Sequence, residues 1–268
     1  MTQQTRRRYL IQRLLEEEPR YRNAAVPADE DGQRNLLRAL MNVRPPKPAD
    51  QEFLEMQDQY LQKERERIGV VKAADLPVIA AWPQLALWQG DITTLQCDAI
   101  VNAANSALLG CFLPLHGCID NAIHSAAGVQ LRLCCHEQMK RQGHEEPTGR
   151  AKITPGFNLP ARYALHTVGP IVQGAVSPQN RADLASCYRA CLALAAENRL
   201  KSLAFCCIST GEFHFPNQEA AEIAVETAID FLKTPSSVQK VIFNVFKDAD
   251  KQIYRRLLGP DRGAEAGA

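Results

Sequence analysis

An excess of charge of one sign is missing from this sequence: 31 lysines and arginines stand against 30 aspartates and glutamates, for a formal net charge of +1. That balance removes the electrostatic argument for general binding to nucleic acid or to an anionic membrane. It leaves room for a local phosphate site. Long hydrophobic runs are missing too, and every apolar stretch falls well short of the ~20 residues that a membrane-spanning helix needs. After the basic start through Arg6-Arg7-Arg8, only Tyr9-Leu10-Ile11 precede the return of polar residues, so no signal-peptide core is expected. A disulfide framework is not expected either. The nine cysteines are odd in number and include the adjacent pairs Cys134-Cys135 and Cys206-Cys207, a usage that suits a reducing cytoplasm. No internal repeat occurs at any fixed period, so a repeat architecture is not expected.

What is present is enough apolar material for one α/β domain and an appendage: 268 residues, 46% of them hydrophobic. Three stretches near the start carry helical periodicity: Leu10, Ile11, Leu14 and Leu15, then Leu36, Leu37, Leu40 and Met41, then Phe53, Leu54, Tyr60 and Leu61. Pro45-Pro46-Lys47-Pro48 separates the second from the third, and Asp50 is placed to cap the third. The charged run from Gln62 to Arg67 reads as a solvated helix face, with a partner-docking surface as the alternative. These helices form an N-terminal extension, residues 1–75, whose apolar faces favour a brace over a lid or a docking element.

From residue 76 the texture changes to short apolar strands alternating with helical segments, the pattern of a sheet covered on both faces. Strands are expected at 85–88, 99–103, 151–154, 163–168, 202–208 and 241–245, and helices at 118–126, 129–142, 182–198, 218–232 and 249–257. The main domain spans 76–258, and the Gly-, Pro- and Ala-rich residues 259–268 are expected to form a flexible tail.

Three segments of the main domain carry chemistry. Gly90-Asp91-Ile92-Thr93 and, shortly after, Asn102-Ala-Ala-Asn105 put one acid and two amides at strand ends. They read either as turn formers or as polar groups whose partners a ligand supplies. Next, Gly110-Cys111-Phe112-Leu113-Pro114-Leu115-His116-Gly117-Cys118 gathers two thiols and an imidazole with C-x4-H-x-C spacing. These are zinc-type ligands on a loop flexible enough to gather them. A set of three, unlike the four of a closed structural site, leaves one position for water or substrate. The other reading is two buried cysteines and a loop histidine. Asp120 and His124 follow on a helix, the first as a dipole-stabilising acid or a catalyst, the second as a packed, hydrogen-bonded histidine. Last, Ile208-Ser209-Thr210-Gly211-Glu212-Phe213-His214-Phe215-Pro216 joins a strand to a helix, and its amides and the helix start form a phosphate cradle or a plain turn.

Taken in order, Gly90-Asp91-Ile92-Thr93, Asn102-Ala-Ala-Asn105, Ile119-Asp-Asn-Ala-Ile-His124, His166-Thr-Val-Gly-Pro170 and Ile208 to Pro216 resemble the macrodomain family over about residues 76–258. The Cys-Phe-Leu-Pro-Leu-His-Gly-Cys insertion replaces the family's usual glycine-rich stretch, and with it the chain looks like the zinc-dependent branch often found beside class M sirtuins. The resemblance implies an α/β fold, a three-layer α/β/α macrodomain with a mixed central sheet, and a hydrolase that removes mono-ADP-ribose from protein side chains. The main alternative is a reader module that binds ADP-ribose without cleaving it. The resemblance assigns Asp91 and the backbone of Ile92 to adenine, Asn102 and Asn105 to the distal ribose, and Ser209, Thr210, Gly211, Glu212 and Phe213 to the diphosphate. Phe215 would pack on the distal ribose. Cys111, His116 and Cys118 would hold Zn2+, Asp120 would orient or deprotonate water, and Asn105 would assist it. The implied partner is a mono-ADP-ribosylated protein, with a lipoyl-carrier protein as the suggested candidate.

Overall fold

The computed structural model describes residues 1–260. The extension comprises α1 (Gln3–Glu17), α2 (Glu30–Val43) and α3 (Gln51–Ile68). Each starts where a polar side chain accepts an otherwise unsatisfied backbone N–H: Thr2 from Thr5, Asp29 from Gly32, and Asp50 from Phe53, as expected for the third. Their apolar faces meet in a core of Leu10, Ile11, Leu14, Leu15, Leu37, Leu40, Met41, Phe53 and Tyr60, joined by Val129 from the main domain. The tenth member packs the extension against the main domain.

The charged end of α3 is only partly solvated, which modifies the sequence-based expectation. Arg65 donates to the carbonyls of Asn158 and Leu159, and Gln62 reaches the Asn158 side chain. These bonds tie the helix to a loop of the main domain.

The main domain begins to pack slightly before residue 76. The two-residue strand β1 (Val71–Lys72) pairs in parallel with β3 (Leu95–Gln96), and Ala73 belongs to the larger core. The central sheet contains β2 (Leu85–Gln89), β4 (Ala99–Ala104), β5 (Ala151–Pro155), β6 (Tyr163–Val168), β7 (Ser202–Phe205) and β8 (Lys240–Val245), in the order β2-β8-β7-β4-β6-β5. All neighbours are parallel except the edge pair β5 and β6. The sheet is therefore mixed, as expected. Helices α4 (Ile119–Ala127) and α5 (Val129–Gln142) pack against β4 and β5, whereas α6 (Pro178–Glu197), α7 (Asn217–Leu232) and α8 (Asp248–Leu258) lie side by side.

Two boundaries differ from expectation for identifiable reasons. Helix α6 starts at Pro178 because Ser177 and Asn180 form a reciprocal capping box ahead of it. Strand β7 ends at Phe205 because Cys206, Cys207 and Ile208 leave the sheet toward a left-handed turn at Ser209, φ +65°. Of the expected flexible tail, residues 261–268 lie outside the described residues.

Candidate active site

Five parallel strands end on the same side, so the segments following β2, β8, β7, β4 and β6 converge along one edge of the sheet. That edge is where open α/β sheets bind ligands. Asp91 follows β2 at one end. Its carboxylate is exposed and accepts the backbone N–H and the hydroxyl of Thr93 at 2.9 and 2.7 Å, which fixes the short turn Ile92–Thr94. Phe246, which follows the neighbouring strand β8, is 76% exposed. Gln89 donates to its carbonyl at 3.3 Å, which holds the two strand ends together. An exposed aromatic beside an exposed carboxylate suits a flat heterocycle with an amino group. Sequence reasoning passed over Phe246, although it extends the apolar run of β8 into the charged segment that starts α8.

The loop after β7 occupies the middle. It is shaped by left-handed residues at Ser209 and His214 and closed by hydrogen bonds from His214 N–H to the Gly211 carbonyl and from Phe215 N–H to the Ser209 carbonyl, each 3.0 Å. The amides of Gly211, Glu212 and Phe213 have no acceptor among the described residues, so they remain open to an anion. Gly169 lets the β6 loop pass beside it, since a Cβ there would collide with the Ser209 hydroxyl.

Two of the residues expected at the distal ribose are buried. Phe215 is 1% exposed and packs in the main core, because the left-handed turn at His214 directs its ring inward. Asn102 is wholly buried within β4, so it acts beneath the cleft.

The far end is built most tightly. Asn102 Nδ2 donates to Asp120 Oδ1 at 2.8 Å and lies 3.1 Å from His166 Nδ1; Asn105 Nδ2 donates to Asp120 Oδ2 at 3.4 Å and to the Gly110 carbonyl at 3.2 Å. His166 Nε2 lies 2.9 Å from the Thr154 hydroxyl. With Nδ1 as the acceptor from Asn102, the Nε2–H donates to Thr154, and this two-step chain fixes the amide that holds Asp120. Burial pushes the Asp120 carboxyl up to about 6, with the Asn102 hydrogen bond and the nearby Arg132 charge opposing it. Burial also pushes His166 down to about 4. His124, also buried, packs against Gly110, whose φ of +77° and lack of a Cβ permit the contact. That matches the packed role read from sequence, although no hydrogen-bond partner for either ring nitrogen exists among the described residues.

Cys111, His116 and Cys118 come together on the loop before α4, all half-buried, with one ligand atom of each within 4.8 Å of the others. Tetrahedral ligands at zinc bond lengths stand about 3.3–3.8 Å apart, so the donor set fits a zinc ion with small movements. Cys111 Sγ lies 3.4 Å from His116 Nδ1, and the opposite ring nitrogen, Nε2, faces Glu212 Oε1 at 3.6 Å. Cys118 is the N-cap of α4, and its sulfur accepts the Asn121 N–H at 3.4 Å. Since Asp120 lies two residues on, the carboxylate and the thiol-imidazole cluster share one helix start. A second group, His124, Cys135 and His166, also brings ligand-type atoms within 4.8 Å. It is buried, and both His166 nitrogens are already engaged.

This edge, with its base end, anion loop and buried acid, defines an α/β nucleotide-sugar-binding domain, and the Macro domain family model matches residues 101–224. The chain belongs to the macrodomain family. It is 54% identical over 263 residues to a protein-ADP-ribose hydrolase of Treponema medium, covering 96% of this chain and 100% of that protein. A protein-ADP-ribose hydrolase of Staphylococcus aureus is 48% identical over 254 residues, covering 94% of this chain and 95% of that one. Among solved structures, the Trypanosoma brucei macrodomain in complex with ADP-ribose superposes with a TM-score of 0.64 at 31% identity, covering 83% of this chain and 95% of that chain.

Proposed function

We infer that this protein is a protein-ADP-ribose hydrolase of the zinc-dependent macrodomain branch, removing mono-ADP-ribose from modified side chains. The observation that carries this reading is the convergence of a buried, amide-held carboxylate, Asp120, with a Cys-His-Cys cluster at the same end of the strand-end cleft. A module that only reads ADP-ribose gains nothing from that construction. A hydrolase does, because a positioned base and electrostatic help at the reacting bond lower its barrier.

In this reading adenine lies between Asp91 and Phe246, and the diphosphate takes the open amides of Gly211, Glu212 and Phe213. The distal ribose then reaches Asn105 and Asp120. Cys111, His116 and Cys118 would hold zinc, which when bound supplies a Lewis acid that polarises an oxygen or acidifies water. Asp120 Oδ2 orients a water and takes its proton as the water oxygen bonds to the anomeric carbon. The bond from that carbon to the side-chain oxygen breaks, leaving free ADP-ribose and an unmodified residue. Asn102 and Asn105 hold Asp120 in place. Glu212 faces the outer nitrogen of His116 and orients the ring.

The exposed Phe112, Leu113 and Leu115 beside the cluster suit an apolar contact with the modified protein, for which a lipoyl-carrier protein is the proposed candidate. Nine free cysteines suit a cytoplasmic setting, and no described helix is long and apolar enough to cross a membrane. The test is to incubate the protein with a mono-ADP-ribosylated carrier protein and follow release of the label, with and without a chelator. Release that the chelator abolishes is the expected result. Tight ADP-ribose binding without release under any metal condition would make the protein a reader.

A further inference from the structure

The loop of residues 110–118 carries the ligand set but little structure of its own. Its backbone closes one turn on itself, from His116 N–H to the Leu113 carbonyl at 3.3 Å. Leu115, directly before the histidine ligand, has φ +58°, a conformation that a leucine disfavours. What keeps the loop in this shape comes from elsewhere in the chain.

Two contacts come from one face of α2. Arg38 Nη2 donates to the His116 carbonyl at 3.1 Å and to Asn121 Oδ1 at 2.9 Å, and Asn121 in turn donates to the Leu113 carbonyl at 3.0 Å. One helical turn on, Asn42 Oδ1 accepts the Leu115 N–H at 3.0 Å while its amide donates to the Ser125 hydroxyl at 2.9 Å. The Asn42 bond falls on the strained residue itself and the Arg38 bond on the ligand next to it. Arg38 holds this position although its buried Nε has no acceptor among the described residues, a cost that its contacts with the loop and Asn121 offset.

A third grip fixes the start of the loop. Arg132, 5% exposed, donates to the Leu109 carbonyl at 2.7 Å, and its guanidinium lies 4.2 Å from the centre of the Phe112 ring. The same group donates to the carbonyls of Asn42 and Arg44 at the end of α2. Both ends of the loop are thus referred to a single helix of the extension.

We propose that α2 is a clamp that holds residues 110–118 in metal-ligating geometry, with Arg38 and Asn42 as positioning residues. The proposal rests on the zinc reading given above. Ligands on an irregular loop must be ordered before they can converge on an ion, and a rigid helix that fixes the backbone on both sides of His116 supplies that order in advance.

The experiment uses the full chain and the variants Arg38→Ala and Asn42→Ala. Arg38→Lys serves as a conservative partner, and Arg34→Ala as a control that breaks ion pairs of α2 with Glu30, Asp31 and Glu64 without touching the loop. Zinc affinity is measured by competition with a chelating dye, amide hydrogen exchange of residues 111–118 is followed in metal-free protein, and thermal unfolding is recorded for all. Arg38→Ala and Asn42→Ala are expected to weaken zinc binding by about 10–100-fold and to speed exchange in the loop. Arg38→Lys should recover part of both losses, and Arg34→Ala should match the wild type. Zinc affinity and loop exchange that stay at wild-type values in both alanine variants overturn the clamp, as does an equal loss in the Arg34 control. A wild type that takes up no zinc overturns the metal reading itself, an outcome distinct from zinc-binding protein with indifferent variants.

Discussion

The two ends of the cleft are built on opposite plans. At the proposed base end, Asp91 and Phe246 stand exposed on the tips of neighbouring strands, with few protein contacts beyond their own turns. At the proposed metal end, Asp120, Asn102 and His166 are buried and cross-linked through two strands and a helix, with Asn105 joining from the following loop. A group that only has to recognise a ligand can wait in water, because the ligand completes its contacts on arrival. A group that acts on a bond must already be in place, since reorganisation at the moment of reaction adds to the barrier.

The contrast can be broken at its strongest point first. Asp120→Asn should lower turnover by about 10²–10⁴-fold while leaving ADP-ribose affinity, measured by calorimetry, close to wild type. An equal loss of affinity would mean that the two ends share their tasks. Next, Cys111→Ser with His116→Ala should remove bound zinc in metal analysis and cut turnover by roughly 10²–10³-fold, the range for losing one preorganised electrostatic group. If the metal goes and turnover survives, the cluster is structural.

Burial of the metal end also has a signature in stability. The folded state keeps His166 neutral down to about pH 4, whereas an unfolded histidine takes up its proton near 6.5. The unfolded state therefore binds more protons between these values, and stability falls as pH drops through the window. For His166 alone the loss amounts to about 3 kcal/mol. Denaturant unfolding from pH 7 to pH 4 checks this, and in His166→Gln the dependence should be shallower by one proton. The smallest effect belongs to the base end. Phe246→Ala should weaken ADP-ribose binding by roughly 3–10-fold, the worth of one aromatic stack, with turnover of bound substrate unchanged.

Much of the fold is legible in the sequence, because helical periodicity, the cap at Asp50 and the alternation of strands with helices are local signals. The Cys-His-Cys cluster was equally legible, as its three members lie within eight residues. What escaped were features whose meaning depends on distant partners. Nothing near Arg132 in the chain shows that it will grip Leu109, Asn42 and Arg44, and nothing near Asn102 shows that His166 will hold it from the neighbouring strand. The burial of Phe215 was hidden for a different reason. An aromatic beside a polar loop reads as exposed until the turn at His214 is known to direct it into the core.

Val129 sits among the apolar side chains of the N-terminal helices, and Gln57 of α3 accepts its backbone N–H at 2.9 Å where Gly128 offers no side-chain cap. The opening quarter of the chain is thereby stitched to the start of α5, a helix translated later. During synthesis the first helices leave the ribosome well before their counterparts, and they wait with one seam open. A version of the later portion cut free of the extension would begin life with that seam torn, Val129 bared to water and its N–H without the Gln57 acceptor.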